Sequence, residues 1–303
     1  MKIKDIGEIG LIKRCVKKIR LDSSVIKGSG DDAAVLRWAR NRYLLYACDM
    51  LVEGVHFKRK DAAAFGIGWK ALARNISDIA AMGGLPRHAV ISVGLDPDLP
   101  VKFFDLLFNG MNSAAKKFKV NIVGGDVSRS GKIVIDVSLL GEVERSNLVT
   151  RSGAKIGDLI LVTGCLGGSI KGRHLDFIPR VEEARRLVRN FKINSMIDIS
   201  DGLILDLGRI LRASKAGAKL YQNAIPVSKD ADSFEDAVSG GEDFELLFTM
   251  GLKEARRFFK TELRKMKTPV TLIGEIVDKK EGYKIVRDGG KIESLRRGGY
   301  LHF

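Results

Sequence analysis

The chain is poor in the residues that most often build metal and disulfide chemistry. Its three cysteines, Cys15, Cys48 and Cys165, lie far apart with no CxxC spacing, which argues against a disulfide framework or a zinc ribbon. Its four histidines, His56, His88, His174 and His302, are equally scattered, so any metal site must be argued from carboxylates. No apolar run approaches the roughly 20 residues of a bilayer span. The opening Met1-Lys2-Ile3-Lys4-Asp5 lacks a signal-peptide core, and a cytosolic protein without membrane contact is expected. The glycine loop Gly164-Cys165-Leu166-Gly167-Gly168-Ser169 lacks the Gly-Lys-Ser/Thr ending of a P-loop, so a plain strand-to-helix turn explains it at least as well as an anion nest.

Positive charge, by contrast, is abundant. A formal net charge of +15 over 303 residues raises nucleic acid as a partner. Yet the basic residues are strewn in pairs such as Lys13-Arg14, Lys116-Lys117, Arg185-Arg186 and Lys279-Lys280, with no basic tail or aromatic-interleaved motif. A solvated basic surface is the simpler reading, and no nucleic acid partner is expected. A basic nucleic-acid-binding protein remains the alternative from a different class, and it would retain affinity in a gel shift at physiological salt.

The most informative feature is a series of aspartates set among Gly, Ala and Ser where apolar runs end: Gly30-Asp31-Asp32-Ala33-Ala34, Ala47-Cys48-Asp49, Asn75-Ile76-Ser77-Asp78, Gly124-Gly125-Asp126 and Asp198-Ile199-Ser200-Asp201-Gly202. Any one of them could be a turn former or a helix cap. Together they have the composition of an oxygen-ligand site for a hard cation such as Mg²⁺, the kind of site that holds nucleotide phosphates. The run Ser239-Gly240-Gly241-Glu242-Asp243-Phe244-Glu245 is either a flexible turn or a place where backbone approaches a ligand with Glu242 reaching it. His56 and Tyr300, taken alone, read as packing residues.

Periodicity places helices over Gly7–Arg20, Trp69–Met82, Val101–Phe118 and Val181–Phe191. Strands are expected over Ala33–Leu36, Tyr43–Cys48, His88–Leu95, Val120–Val123, Ile133–Val143, Leu159–Thr163, Met196–Ile199, Lys219–Tyr221, Leu246–Thr249 and Thr271–Val277. Ser200 and Asp201 are N-cap candidates for a following helix. On Trp69–Met82, the core stripe is Trp69, Leu72, Ala73, Ile76 and Ala80, while Asn75 and Asp78 share the other face with Ala71 and Met82 and are expected to look into a site. The pattern restarts near Thr150-Arg151-Ser152-Gly153. Helices and strands interleave without regular βαβ spacing, so the fold class is α+β: two domains, residues 1–148 and 149–303, each with a mixed or antiparallel sheet.

These motifs carry a resemblance. The aspartate motifs, with Asp49 to Phe57, Asn75 to Pro86, Met196 to Leu203, Gly240 to Phe244 and the closing His302-Phe303, resemble the thiamine-monophosphate kinases, in the superfamily of aminoimidazole ribonucleotide synthetase and selenophosphate synthetase. The resemblance implies the two-domain fold of that superfamily and ATP-dependent phosphorylation of thiamine monophosphate. It implies Mg²⁺ ligation by Asp32, Asp49, Asp78, Asp126, Asp198 and Asp201, with Asp49, Asp78 and Asp126 catalytic through metal positioning. Gly125, Asp126, Arg151 and Ser200 would contact the nucleotide, and His56, Glu242 and Tyr300 thiamine phosphate. A homodimer through the first domain is implied as well. The runner-up is another ATP-dependent enzyme of the superfamily; a selenophosphate synthetase would want a reactive Cys beside an N-terminal glycine-rich segment, whereas Cys15 sits in a helix pattern. The chain departs from the family pattern at Ala47 and Cys48, where two threonines are usual, at Phe108 in place of Tyr, at Tyr300 in place of Trp, and in a shortened Gly172–Phe191 region.

Overall fold

The computed structural model describes residues 2–295 and 299–300. In the first half the order is α1 (Ile3–Val16), β1 (Val25–Lys27), β2 (Ala34–Ala39), β3 (Arg42–Val52), α2 (Ala64–Ala81), β4 (Leu85–Leu95), α3 (Val101–Phe118), β5 (Asn121–Arg129) and β6 (Val134–Glu144). In the second half follow β7 (Asp158–Thr163), α4 (Val181–Asn190), β8 (Ser195–Asp198), α5 (Leu203–Ser214), β9 (Gly217–Tyr221), α6 (Phe234–Ser239), β10 (Leu246–Gly251), α7 (Leu252–Thr261), β11 (Val270–Val277), β12 (Tyr283–Val286) and β13 (Ile292–Ser294). No described helix is long and apolar enough to cross a membrane.

The strands form two sheets, ordered β1-β2-β3-β6-β4-β5 and β13-β12-β9-β11-β7-β10-β8. Each is mixed, with one parallel pairing, β4 with β5 and β12 with β9, among antiparallel ones. The α+β reading therefore holds. In β6 every second residue is buried, the signature of a strand with one covered face, and α2 and α3 supply that cover. The two helices cross where each carries a glycine. A Cβ on Gly68 would lie 1.8 Å from the Leu107 carbonyl oxygen, and one on Gly110 would lie 2.0 Å from that of Phe65, so only glycine permits this spacing.

Helix α2 is the centre of the molecule. Leu72 and Ile76 pack into the first sheet's core, while Ala80 and Ala81 pack with Leu161, Leu187 and Phe248 of the second half. Ala71 and Met82, expected on a site-facing side, are core residues as well. The two-stripe expectation fails because a helix between two layers is buried on both sides. Three further expectations are corrected. Strands β3 and β5 run past Asp49 and Asp126, because pairing with β6 and β4 continues to Val52 and Arg129. The N-cap of α5 is Gly202, at φ 109°, with no side-chain cap. That turn leaves Ser200 and Asp201 facing a cavity, and Asp206 in the first turn accepts the Asp201 N–H at 2.9 Å. The first helix begins at Ile3, is interrupted by Gly7 at φ 64°, and buries no residue, so its apolar stripe Ile9, Ile12 and Val16 stays exposed.

Candidate active site

Three of the aspartates converge. Single carboxylate oxygens of Asp32, before β2, Asp78, on α2, and Asp198, at the end of β8, lie within 4.8 Å of one another. Each comes from a different layer, and the convergence exists because β8 delivers Asp198 against α2, where the Ser77 hydroxyl donates to Asp198 Oδ2 at 2.5 Å. Arg151 holds Asp32 Oδ1 through two nitrogens, at 2.6 and 3.3 Å. The other oxygen, Asp32 Oδ2, is buried without a hydrogen-bond partner among the described residues.

Burial is the largest cause that pushes all three carboxyls up. Asp198 rises to about 8. Asp78 rises well above the usual carboxylate range, with Asp49, Asp198 and Asp32 as its repelling neighbours. Asp32 rises despite the opposing Arg151. Clustered acids with an orphaned oxygen and too few cations are what a site for a divalent cation requires: a bound charge reverses every one of these shifts.

Asp49 projects from β3 toward α2, where Arg74 contacts its Oδ1 at 3.3 Å. Burial works against the Arg74 charge, but Asp49, Glu242, Asp78 and Asp201 outweigh it and the net shift is upward. Arg74 also lines a cavity of about 420 Å³, together with His56, Ser200, Asp201, Glu242, Phe244 and Tyr300. Asp201 is paired there with Arg209, and the Tyr300 N–H donates to the Asp201 carbonyl at 3.1 Å.

Glu242 sits on this cavity's wall in a left-handed backbone conformation, φ 65°. Its Oε2 accepts from Lys70 Nζ at 2.5 Å and lies 2.8 Å from His174 Nδ1. Burial would raise the Glu242 carboxyl, but His174 and Lys70 win and hold it down at about 2. His56 enters by its ring, whose Nδ1 accepts the Val52 N–H at 3.0 Å, and by its carbonyl, which accepts from Lys70 at 2.9 Å.

Comparison with known proteins decides the family. The family models described as "AIR synthase related protein, N-terminal domain" and "AIR synthase related protein, C-terminal domain" match residues 30–143 and 155–287. The thiamine-monophosphate kinase of Rhodopirellula baltica is 38% identical over 92% of each chain. That of Aquifex aeolicus is 34% identical over the full length of both. The chain belongs to the thiamine-monophosphate kinase family. Among solved structures, "AaThiL complexed with AMPPCP and TMP" superposes with a TM-score of 0.85 at 32% identity, covering 100% of this chain and 99% of that one.

Within this kinase framework the expected residues fall into three groups. Asp32, Asp78 and Asp198 form the cluster, with Asp49 beside it and Arg151 bound to it. His56, Ser200, Asp201, Glu242 and Tyr300 line the cavity. Gly125 and Asp126 stand apart. Across the sheet Asp49 is level with Val137, Ile91 and Gly125, whereas Asp126 is level with Ser92, Asp136 and Met50. Side chains alternate between faces, so Asp126 is on the outer face, three strands away from Asp49. Gly125 and Asp126 instead border an apolar cavity of about 350 Å³ with Ile91, Phe104, Phe108 and Met111.

The glycine loop is occupied by its own protein. The Gly167 N–H donates to both Asp243 carboxylate oxygens at 3.1 and 3.0 Å, and the Gly168 N–H donates to Asp236 at 3.0 Å. Sequence reading missed Lys70, Arg74 and His174. A signal existed for the first two: Lys70, Arg74 and Asp78 are the charged residues of α2 and follow one another at intervals of four, which puts them in one row. His302 and Phe303 lie outside the described residues.

Proposed function

We propose that this chain transfers the γ-phosphoryl group of ATP to the phosphate of thiamine monophosphate, giving thiamine diphosphate and ADP. The observation that carries this reading is Arg74, which lines the cavity of His56, Glu242 and Tyr300, pairs with Asp49 and lies in the field of Asp78 of the Asp32–Asp78–Asp198 cluster. A phosphate monoester has a second pKa of about 6 and is already an anionic nucleophile near neutral pH, so no general base is needed.

Asp32, Asp78 and Asp198, with Asp49 and Asp201 near them, would hold Mg²⁺, which neutralises phosphate oxygens and aligns them for in-line transfer. Arg151 and Arg74, both kept cationic by the surrounding carboxylates, present guanidinium groups to phosphate oxygens. Ser200 adds a hydroxyl at the same edge. On the cavity wall, Tyr300 offers an aromatic face to the thiazolium cation, and Glu242 and His56 contact the organic part of the substrate. The apolar cavity at Gly125 and Phe108 suits a nucleobase, and Gly125 is required there because a Cβ would lie 1.9 Å from the Ile91 carbonyl oxygen.

A homodimer through the first domain accounts for the distance between Asp126 and the cluster. The outer face of that sheet leaves Tyr46, Met50 and Val90 exposed, an apolar surface suited to a second copy, and a site built across it would draw Asp126 from the partner. Residues 1–148 and 149–303 serve as the two domains in this reading, and both substrates are water-soluble phosphates of the cytosol. A coupled assay for ADP release tests the proposal. Release that requires both thiamine monophosphate and Mg²⁺ is expected, and release indifferent to thiamine monophosphate overturns it.

A further inference from the structure

Lys70 has no part in the chemistry above, yet it is completely buried. A buried lysine is costly unless its charge is matched and its donors are used. Here two donors go to walls of the substrate cavity, the His56 carbonyl at 2.9 Å and Glu242 Oε2 at 2.5 Å, and Nζ lies 2.7 Å from His174 Nδ1, which contacts the same Glu242 oxygen. The loop it reaches is strained, with Glu242 at φ 65° and Phe244 at φ 51°, conformations that a non-glycine residue keeps only when its surroundings enforce them.

The enforcement comes from one short segment and one helix turn. Asp243 is bound by Arg173 at 2.7 Å and by the Gly167 N–H. Phe244 stacks on Phe177 with centroids 3.9 Å apart, and the Phe177 carbonyl accepts from Trp69 Nε1 at 2.8 Å. Trp69 and Lys70, neighbours on α2, therefore grip the two ends of the Glu242–Phe244 loop, through Phe177 at one end and directly, with His174, at the other.

From this geometry we infer that Lys70 is the positioning residue of the thiamine-phosphate cavity: it sets Glu242 and the His56 segment at the spacing that admits the substrate, without touching the phosphates or the nucleotide. The inference rests on the kinase reading above. It predicts a separation of effects that a general packing role would not produce, because a fold defect lowers everything together whereas a misplaced wall weakens one substrate.

The test is steady-state kinetics on both substrates, with calorimetric titration of thiamine monophosphate as a readout independent of turnover. Lys70→Met removes the charge at similar volume. It is expected to raise the KM and the Kd for thiamine monophosphate about tenfold or more, as for loss of a charged hydrogen bond, with kcat and the KM for ATP within about threefold of wild type. An unchanged KM for thiamine monophosphate, or a parallel rise in both KM values, overturns the inference while leaving the kinase reading intact. A wild-type protein that does not turn over thiamine monophosphate overturns that reading and this inference with it.

A wild-type pH profile decides the matter if Lys70→Met does not fold. The groups facing Lys70 are Glu242 on the loop, His174 on the turn after Gly172, the His56 carbonyl, and Arg74 one turn along α2. Burial depresses Lys70 to about 8 against the pull of Glu242, so the ion pair is lost as pH rises through that value. The KM for thiamine monophosphate should climb between pH 7 and about 9 while that for ATP stays level, and a level profile for both substrates overturns the inference.

Discussion

Two turns apart on one face of α2, Lys70 and Asp78 occupy opposite electrostatic conditions, about 12 Å from each other at the helical rise. At the Asp78 end carboxylates outnumber cations, and burial drives Asp78 and Asp198 upward. At the Lys70 end one carboxylate meets a lysine and a histidine, and Glu242 is driven down to about 2. The first arrangement is unstable by itself and favours a bound cation. The second has its carboxylate paired within the protein. One helix thus carries both an acidic cluster and an internally paired carboxylate's partner.

The largest effect should follow from spoiling the acidic end. Asp78→Asn and Asp49→Asn are each expected to lower kcat by about a hundredfold or more, as for removal of other groups that stabilise a charged transition state. In the same variants Mg²⁺ should no longer raise the melting temperature, since a ligand stabilises only the state that binds it. Turnover within threefold of wild type in both would remove these residues from the phosphate site.

A smaller contrast is in stability against pH, read by thermal melts in chelator. Asp198 has a folded pKa above its unfolded value, so the folded state holds the extra proton and stability falls as pH rises from about 4 to about 8. Glu242 and Glu144 have folded values of about 2, Glu144 by a backbone hydrogen bond and Arg185 working against burial. Their stabilisation is present above about 4.5 and lost as pH falls toward about 2. Asp198→Asn should therefore flatten the upper slope and Glu242→Gln part of the lower one, each by a few degrees in Tm. Identical profiles for wild type and both variants would show that the two ends of α2 do not differ as described.

The smallest effect is expected at the cavity rim. Tyr300→Ala should raise the KM for thiamine monophosphate several-fold, the roughly 0.5 to 2 kcal/mol of a ring against a cation, and Tyr300→Trp should hold or lower it. Kinetics with each substrate in turn check this: equal KM values in wild type and Tyr300→Ala would mean that Tyr300 serves only to pack the tail.

Much of this was legible in the chain. Local signals placed α3 at Val101–Phe118 and most strands within a few residues, because the periodicities of helices and strands are properties of the sequence itself. The small residues around Asp32, Asp78 and Asp198 set these aspartates apart in the sequence, and the fold brings their carboxylate oxygens within 4.8 Å of one another. The failures have a common cause. The two sides of α2 are misread because the helix serves two cores: Ala71 and Met82 fill that of the first sheet, while Ala80 and Ala81 pack with Leu161 of the second half, about 80 residues on. Lys70 and His174 were missed because a lysine or a histidine has meaning only beside its partner, and theirs, Glu242, lies on a loop reached through the tertiary fold.

Sequence by itself determined most of the helices and strands, though not β1, α6, α7, β12 or β13, and also which residues have the chemistry to bind a hard cation and the family to which the chain belongs. Tertiary structure alone decided which carboxylates meet. Asp49 and Asp126 stand in equivalent small-residue settings, yet strand register turns Asp49 toward Arg74 and Asp126 to the outer face. A strand alternates faces with every residue, so a side chain's direction is fixed by pairing across the sheet, and pairing is a property of the assembled fold.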